Sequence, residues 1–216
     1  MKVSKGDIFE RVFVNEPAVD LHIEQEAGSK VKLIIVNSFG IPGYRDTGTP
    51  THNNIFIEQV GEGCETEIYA LACLKGEDSV TIETHVHHAV GGGKSEQLIK
   101  FVLDDNSRGR FIGDLKIAPD AQQTEAHQTN RNLVLSETAE MRTQPQLEIY
   151  ADDVKATHGA STGQLDESAL FYMQQRCIAP EEGRRMLLQA FMADIVEKLN
   201  DPQNEKIVYE KMNKWL

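Results

Sequence analysis

The chain is poor in cysteine, aromatic residues, positive charge and long apolar runs. Its three cysteines, Cys64, Cys73 and Cys177, are odd in number and make no Cys-x-x-Cys pair, so no disulfide framework is expected and the thiols should be reduced. Aromatics make up 6% of the residues, and the single tryptophan, Trp215, lies almost at the C-terminus, which argues against an aromatic-lined sugar groove. No apolar stretch approaches the ~20 residues needed to cross a bilayer. The first residues, Met1 to Asp7, lack the apolar core of a secretory signal, so a cytoplasmic location is expected. Basic residues number 22 against 34 acidic ones, a formal charge of −12, which disfavours nucleic acid and anionic membranes as partners.

What is present falls into two textures that change near residue 165. Before that point, short runs rich in Val, Ile, Leu, Phe and Tyr are broken by Gly, Asp, Asn and Pro. They predict strands over 31–39, 54–60, 65–74, 79–87, 97–103, 110–117, 130–135 and 146–151, with a period of two as in Val80, Ile82, Thr84 and Val86. Between about 65 and 117 the runs begin at near-regular intervals without a sequence repeat. That rhythm fits a sandwich, a jelly roll or a β-helix and does not choose among them. After Gly163 the pattern is helical. Asp166 can cap a run over 167–175, Pro180 suits a first helical position with Glu181 and Glu182 at the positive end of the dipole, and Leu188, Phe191, Ile195 and Leu199 fall on one face. Pro202 opens a further amphipathic stretch. The expected division is a β core over 1–163 and a helical domain over 164–216.

Three motifs invite chemistry. Gly91-Gly92-Gly93-Lys94-Ser95 imitates the end of a phosphate-binding loop, but His88 stands where that loop needs its first glycine, and a strand-like run follows where a helix is required. A flexible turn accounts for it better. His85-Val86-His87-His88 places His85 and His87 on one face of a strand, where two imidazoles can chelate a metal as in a cupin-type enzyme. The next carboxylate, Glu96, lies across the glycine run, at the wrong spacing for that site. A metal-dependent jelly-roll enzyme using His85 and His87 is the alternative function class. The third motif is His158, which sits beside Gly159 and reads on composition alone as a turn or interface residue at a strand end. No Gly-x-Ser-x-Gly elbow occurs and no cysteine adjoins a histidine.

The last third carries longer ordered segments. Gln128 to Ser136, Pro145 to Lys155, Thr157-His158-Gly159-Ala160 and Leu170 to Arg176 closely resemble the SufB/SufD family, with weaker similarity upstream through Gly109 to Gly113 and downstream into the helix around Phe191. The likeness is nearer the SufD branch, because the stretch has the histidine without a cysteine beside it. The resemblance implies a mainly β protein, a right-handed parallel β-helix followed by a small C-terminal α-helical domain. It implies a non-enzymatic scaffold subunit of the SUF iron–sulfur cluster assembly complex. Such a subunit pairs with a SufB-like chain through β-helix edge strands and docks a SufC-like ABC ATPase with its helices.

On the same grounds His158 corresponds to the family's functional histidine near the SufB–SufD interface, where it would support a transient iron–sulfur cluster. No stable cofactor is implied for the isolated chain. Imidazole is a borderline ligand suited to iron. The implied ATPase dock draws on Phe171, Tyr172, Arg176, Arg184, Arg185 and Phe191. The chain departs from the family in having Ala156 where many SufD members have cysteine, Cys177 where the turn between helices usually has glycine, and little sequence before the β core. A short member or a fragment is expected, with a homodimer as a further form of the isolated chain.

Overall fold

The computed structural model describes residues 1–16, 18–39 and 50–216, with the side chains of residues 38 and 39 left aside. Strands alternate between two parallel six-stranded sheets. The odd sheet holds β1 (Lys2–Val3), β3 (Val19–Gln25), β5 (Thr51–Gln59), β7 (Ser79–His88), β9 (Arg108–Ile117) and β11 (Glu140–Ile149), each beside the next. The even sheet holds β2 (Ile8–Val14), β4 (Lys30–Phe39), β6 (Glu65–Leu74), β8 (Lys94–Leu103), β10 (Thr124–Val134) and β12 (Val154–Gly163). Each coil of the chain adds one strand to each sheet, which makes a β-solenoid. Because every described pairing is parallel, the sandwich and jelly-roll topologies, which are antiparallel, are excluded.

Rows of in-register residues explain the stacking. Inward rows such as Leu33–Ile68 and Ile55 on the opposite sheet fill the bore, with Ile23, Ile57, Phe101, Phe111 and Leu115 also fully buried. Burying each such side chain stabilises the fold by about 1.5–3 kcal/mol. The bore is not wholly apolar. At one corner Gln25, Gln59 and His88 of the odd sheet reach the even sheet. Thr66 Oγ1 donates to Gln25 Oε1 at 2.5 Å, Gln59 Nε2 donates to Thr66 Oγ1 at 2.8 Å, and His88 Nε2 lies 2.9 Å from Ser95 Oγ. Desolvation, with a smaller contribution from the neighbouring His87, pushes the His88 imidazole down to about 4, so it is neutral in the core. The turns stack as the strands do. The Gly91–Gly93 run is the turn between β7 and β8; Gly92 has φ +71 and its N–H donates to Gln122 O at 2.9 Å.

The helices are α1 (Glu167–Gln174), α2 (Pro180–Val196) and α3 (Pro202–Trp215). Asp166 caps α1, accepting from the N–H groups of Ser168 and Ala169, and Asp201 caps α3. The outer face of the even sheet is apolar at Ile34, Val36, Tyr69, Leu71, Cys73 and Val102, and α2 and α3 cover it with Leu188, Met192, Ile195, Val208, Met212 and Trp215. The outer face of the odd sheet has no helix against it among the described residues. Gly183 is buried where α1 crosses α2; a Cβ there would lie 3.3 Å from Met173 Sδ, so the close crossing offsets its poor helix propensity. No described helix is long and apolar enough to cross a membrane.

Candidate functional site

His158 lies within β12 rather than at a strand end, because the coil continues to Gly163. β12 pairs with β10 on one side, and among the described residues the order of the sheet leaves its other edge free, as it does for β11 in the odd sheet. The last coil therefore presents two rows of unpaired backbone groups at one end of the solenoid. In register, Gln128 stands beside His158 and Gln97 beside Gln128, continuing the inward row Leu33–Ile68. His158 thus faces the bore. Among the described residues no further coil covers it and its ring makes no hydrogen bond, so it is exposed.

Ala156 shares that inward face two residues earlier and is half-buried against the core. A side chain at position 156 points into the same opening, and here it is a methyl group, so this face of the last coil offers His158 without a thiol neighbour. On the opposite face Thr157 Oγ1 lies 2.8 Å from His127 Nδ1, beside a groove of about 220 Å³ lined by Glu65, Glu67, Lys94, Glu96 and His127. Ile149 and Tyr150, at the end of β11, are exposed apolar groups on the same rim. An unpaired strand carrying a solvent-facing imidazole can accept a second sheet edge and supply one nitrogen ligand to a metal held between the two.

His85 and His87 lie on the outer face of the odd sheet, away from this opening, with carboxylates against them. His85 Nε2 is 3.0 Å from Glu83 Oε1 and its Nδ1 is 3.4 Å from Asp114 Oδ2, while His87 Nδ1 is 3.3 Å from Glu58 Oε1. Glu83 also meets His52 at 3.0 Å, and its hydrogen bonds from His85 and His52 hold its carboxyl below the usual range against the opposing effect of burial. Among the described residues no three His, Cys, Asp or Glu side chains stand in a metal-holding group. The parallel solenoid corrects the jelly-roll fold of that alternative.

The proposed dock divides in two. Phe171 and Tyr172 on α1 are 62% and 58% exposed, and the Arg176 guanidinium lies 4.7 Å from the Tyr172 ring. Phe191 is half-buried against the sheet under Lys100, and Arg184 and Arg185 reach Asp104 at 4.0 Å and Asn213 at 3.3 Å. Cys177 is exposed at the α1–α2 turn with φ +62, a conformation that favours glycine.

Gln128 beside His158, Gln97 beside Gln128 and Gly113 across the bore from Gln128 lie in segments that the sequence reading quoted, but it gave these three residues no role. A buried glutamine in mid-strand breaks the apolar alternation and looks like an outward position.

Together these features define a class, a parallel β-solenoid with one open, histidine-bearing end and a helical appendage on one sheet. The chain belongs to the SufBD family: a family model described as the SUF system FeS cluster assembly, SufBD core domain, matches residues 19–191. It is 36% identical over 154 residues to the iron–sulfur cluster assembly protein SufD of Escherichia coli (strain K12), covering 71% of this chain and 36% of that protein. An iron–sulfur cluster assembly SufBD family protein of Synechocystis is 35% identical over 151 residues, covering 69% of this chain and 33% of that protein. Protein ABCI7 of Arabidopsis thaliana, described as chloroplastic, is 33% identical over 177 residues, 82% of this chain and 36% of that protein. The chain spans about a third of the length of these relatives.

Proposed function

We propose that the chain is a non-enzymatic, SufD-like scaffold subunit of an iron–sulfur cluster assembly complex in the cytoplasm. It pairs with a SufB-like chain through the free edges of β11 and β12, and it docks a SufC-like ATPase on α1 and α2. His158 lends one imidazole nitrogen to a cluster that forms between the two solenoids and is passed on; no stable cofactor resides on the chain itself. The observation that carries this reading is the placement of His158, in mid-strand on an edge that is unpaired among the described residues, and facing an opening that no further described coil covers. A single nitrogen ligand from one side of an interface holds a cluster weakly, which suits release. Family membership supports the assembly role.

The test is co-expression with the organism's SufB-like and SufC-like proteins, size-exclusion chromatography, and cluster formation by the wild-type and His158→Ala complexes. Co-elution of all three chains, with the variant co-eluting yet forming no cluster, is the expected result. Equal cluster formation by the variant would remove His158 from the role. Elution of this chain alone, or as a homodimer while the other two associate, would remove the pairing.

A further inference from the structure

The row that ends at His158 changes from apolar to amide at its last two buried positions, above Leu33 and Ile68. Gln97 and Gln128 are neighbours in register on β8 and β10, both 1% exposed, and the Nε2 of Gln128 donates to the Oε1 of Gln97 at 3.4 Å. In a ladder of amides each residue donates down the row and accepts from the residue on the next coil. Gln128 Oε1 is buried without a hydrogen-bond partner, and the residue on the next coil is His158, whose ring makes no hydrogen bond among the described residues. Neighbouring strands lie about 4.8 Å apart, within reach of these two side chains. Leaving a buried acceptor unsatisfied costs about 1–3 kcal/mol, so the site favours a donor from the next coil.

Gly113 leaves the room that the amide occupies. On β9, across the bore, a Cβ at this position would lie 2.5 Å from Gln128 Nε2 and 2.6 Å from its Oε1, so only glycine lets the amide lie there. The neighbouring Thr84, in register with Gly113, adds another buried hydroxyl without a partner.

We propose that Gln128 is a positioning residue for His158: its Oε1 accepts one ring N–H, continuing the ladder by one step and leaving the lone pair of the other ring nitrogen directed out of the open end. A histidine ligand oriented by a hydrogen bond on its second nitrogen is a common device at metal sites. The inference rests on the cluster role given to His158, but its physical content is tested separately.

The experiment uses the full ¹⁵N-labelled chain, alone and with the SufB-like partner, and long-range proton–nitrogen correlation of the neutral His158 ring. Wild type should show one tautomer, Gln128→Leu a mixture, and Gln128→Glu, which keeps an acceptor oxygen, one tautomer again. A mixture in the wild type, alone and in the complex, would overturn the proposal even if the leucine variant does not fold. Identical spectra of wild type and a folded Gln128→Leu would do the same. In the reconstituted complex Gln128→Leu should slow cluster formation about tenfold, the lower end of such orienting effects. If the tautomer is fixed by Gln128 while His158→Ala still builds clusters, the ladder stands and the cluster role falls.

Discussion

Lys100 sits on β8 in the outward row Val36–Leu71–Lys100–Arg131, within the apolar face that α2 covers. Its side chain is 2% exposed, yet its ammonium donates to Asp194 Oδ2 at 2.7 Å and to Phe191 O at 2.6 Å, and lies 4.6 Å from the centre of the Phe191 ring. The two ends of this ion pair are not equivalent, because the Asp194 side chain is 48% exposed. Removing the carboxylate leaves a buried ammonium with one carbonyl and one ring for company. Removing the ammonium leaves a carboxylate that water can reach.

Breaking a buried pair from one side costs roughly 3–5 kcal/mol, and replacing its buried member by an apolar residue of similar volume is often neutral or stabilising. Solvent access to Asp194 places Asp194→Ala near the bottom of that range, about 3 kcal/mol. Lys100→Met should stay within about 1 kcal/mol of wild type, since methionine fills the same channel between Leu71 and α2. The double variant should match Lys100→Met, not the sum of the two changes, because Asp194 no longer has a charge to neutralise. Urea unfolding followed by circular dichroism reads all three. If Asp194→Ala costs no more than Lys100→Met, the ammonium is not desolvated as described.

Stability should fall in acid through His88. Its folded value near 4 lies below the unfolded value of about 6.5, so the unfolded chain binds the proton first. The contribution is whole above about pH 6.5 and is lost as pH falls towards 4. At pH 5 the loss is about 2 kcal/mol. His88→Gln, compared with wild type at pH 7 and pH 5, should be less sensitive by that amount; equal sensitivity would place the proton elsewhere. Cys177→Gly should leave thermal stability unchanged or raise it by up to about 1 kcal/mol, since relief of the left-handed conformation outweighs the added freedom of the unfolded chain; clear destabilisation would contradict this. Phe171→Ala with Tyr172→Ala should leave folding intact, because α1 contains no buried residue, and should weaken capture of the SufC-like ATPase in a pull-down. Undiminished capture would move the dock away from α1.

Much of the solenoid was legible where its rows are apolar. The runs at 65–74, 79–87 and 110–117 match β6, β7 and β9 to within a few residues because Ile68, Ile82 and Phe111 face a bore closed on both sides. The run at 130–135 caught only the end of β10, whose earlier inward residues are Thr124, Ala126 and Gln128, small or polar groups that give no apolar period. β11 was seen only from 146, because Glu140 to Pro145 line the last coil and alternate with charge. β12 was missed for the same cause: Val154 and Ala156 still pack against the core, but from Thr157 to Gly163 the strand is exposed and need not be apolar. β2 and β3 also escaped, although β3 alternates from Val19 to Gln25, and β2 interrupts its apolar residues with an inward Arg11 stacked 4.8 Å from Phe13. The helices were clearest, since Asp166, Pro180 and Pro202 act locally and mark their starts. His158 was found through family resemblance, whereas its position on an open coil and its ladder to Gln128 depend on register between strands 30 residues apart.

We propose the open end formed by β11 and β12 as the working face of the molecule. Amide hydrogen exchange of the full chain, with and without the SufB-like partner, tests it most directly. Backbone amides of Val154–Gly163 that point away from β10 have no partner strand among the described residues and should exchange quickly when the chain is alone. Strong protection across that strand on adding the partner is the predicted result. Protection confined to the outer face of the odd sheet or to α3, with β12 still exchanging freely, would contradict the account.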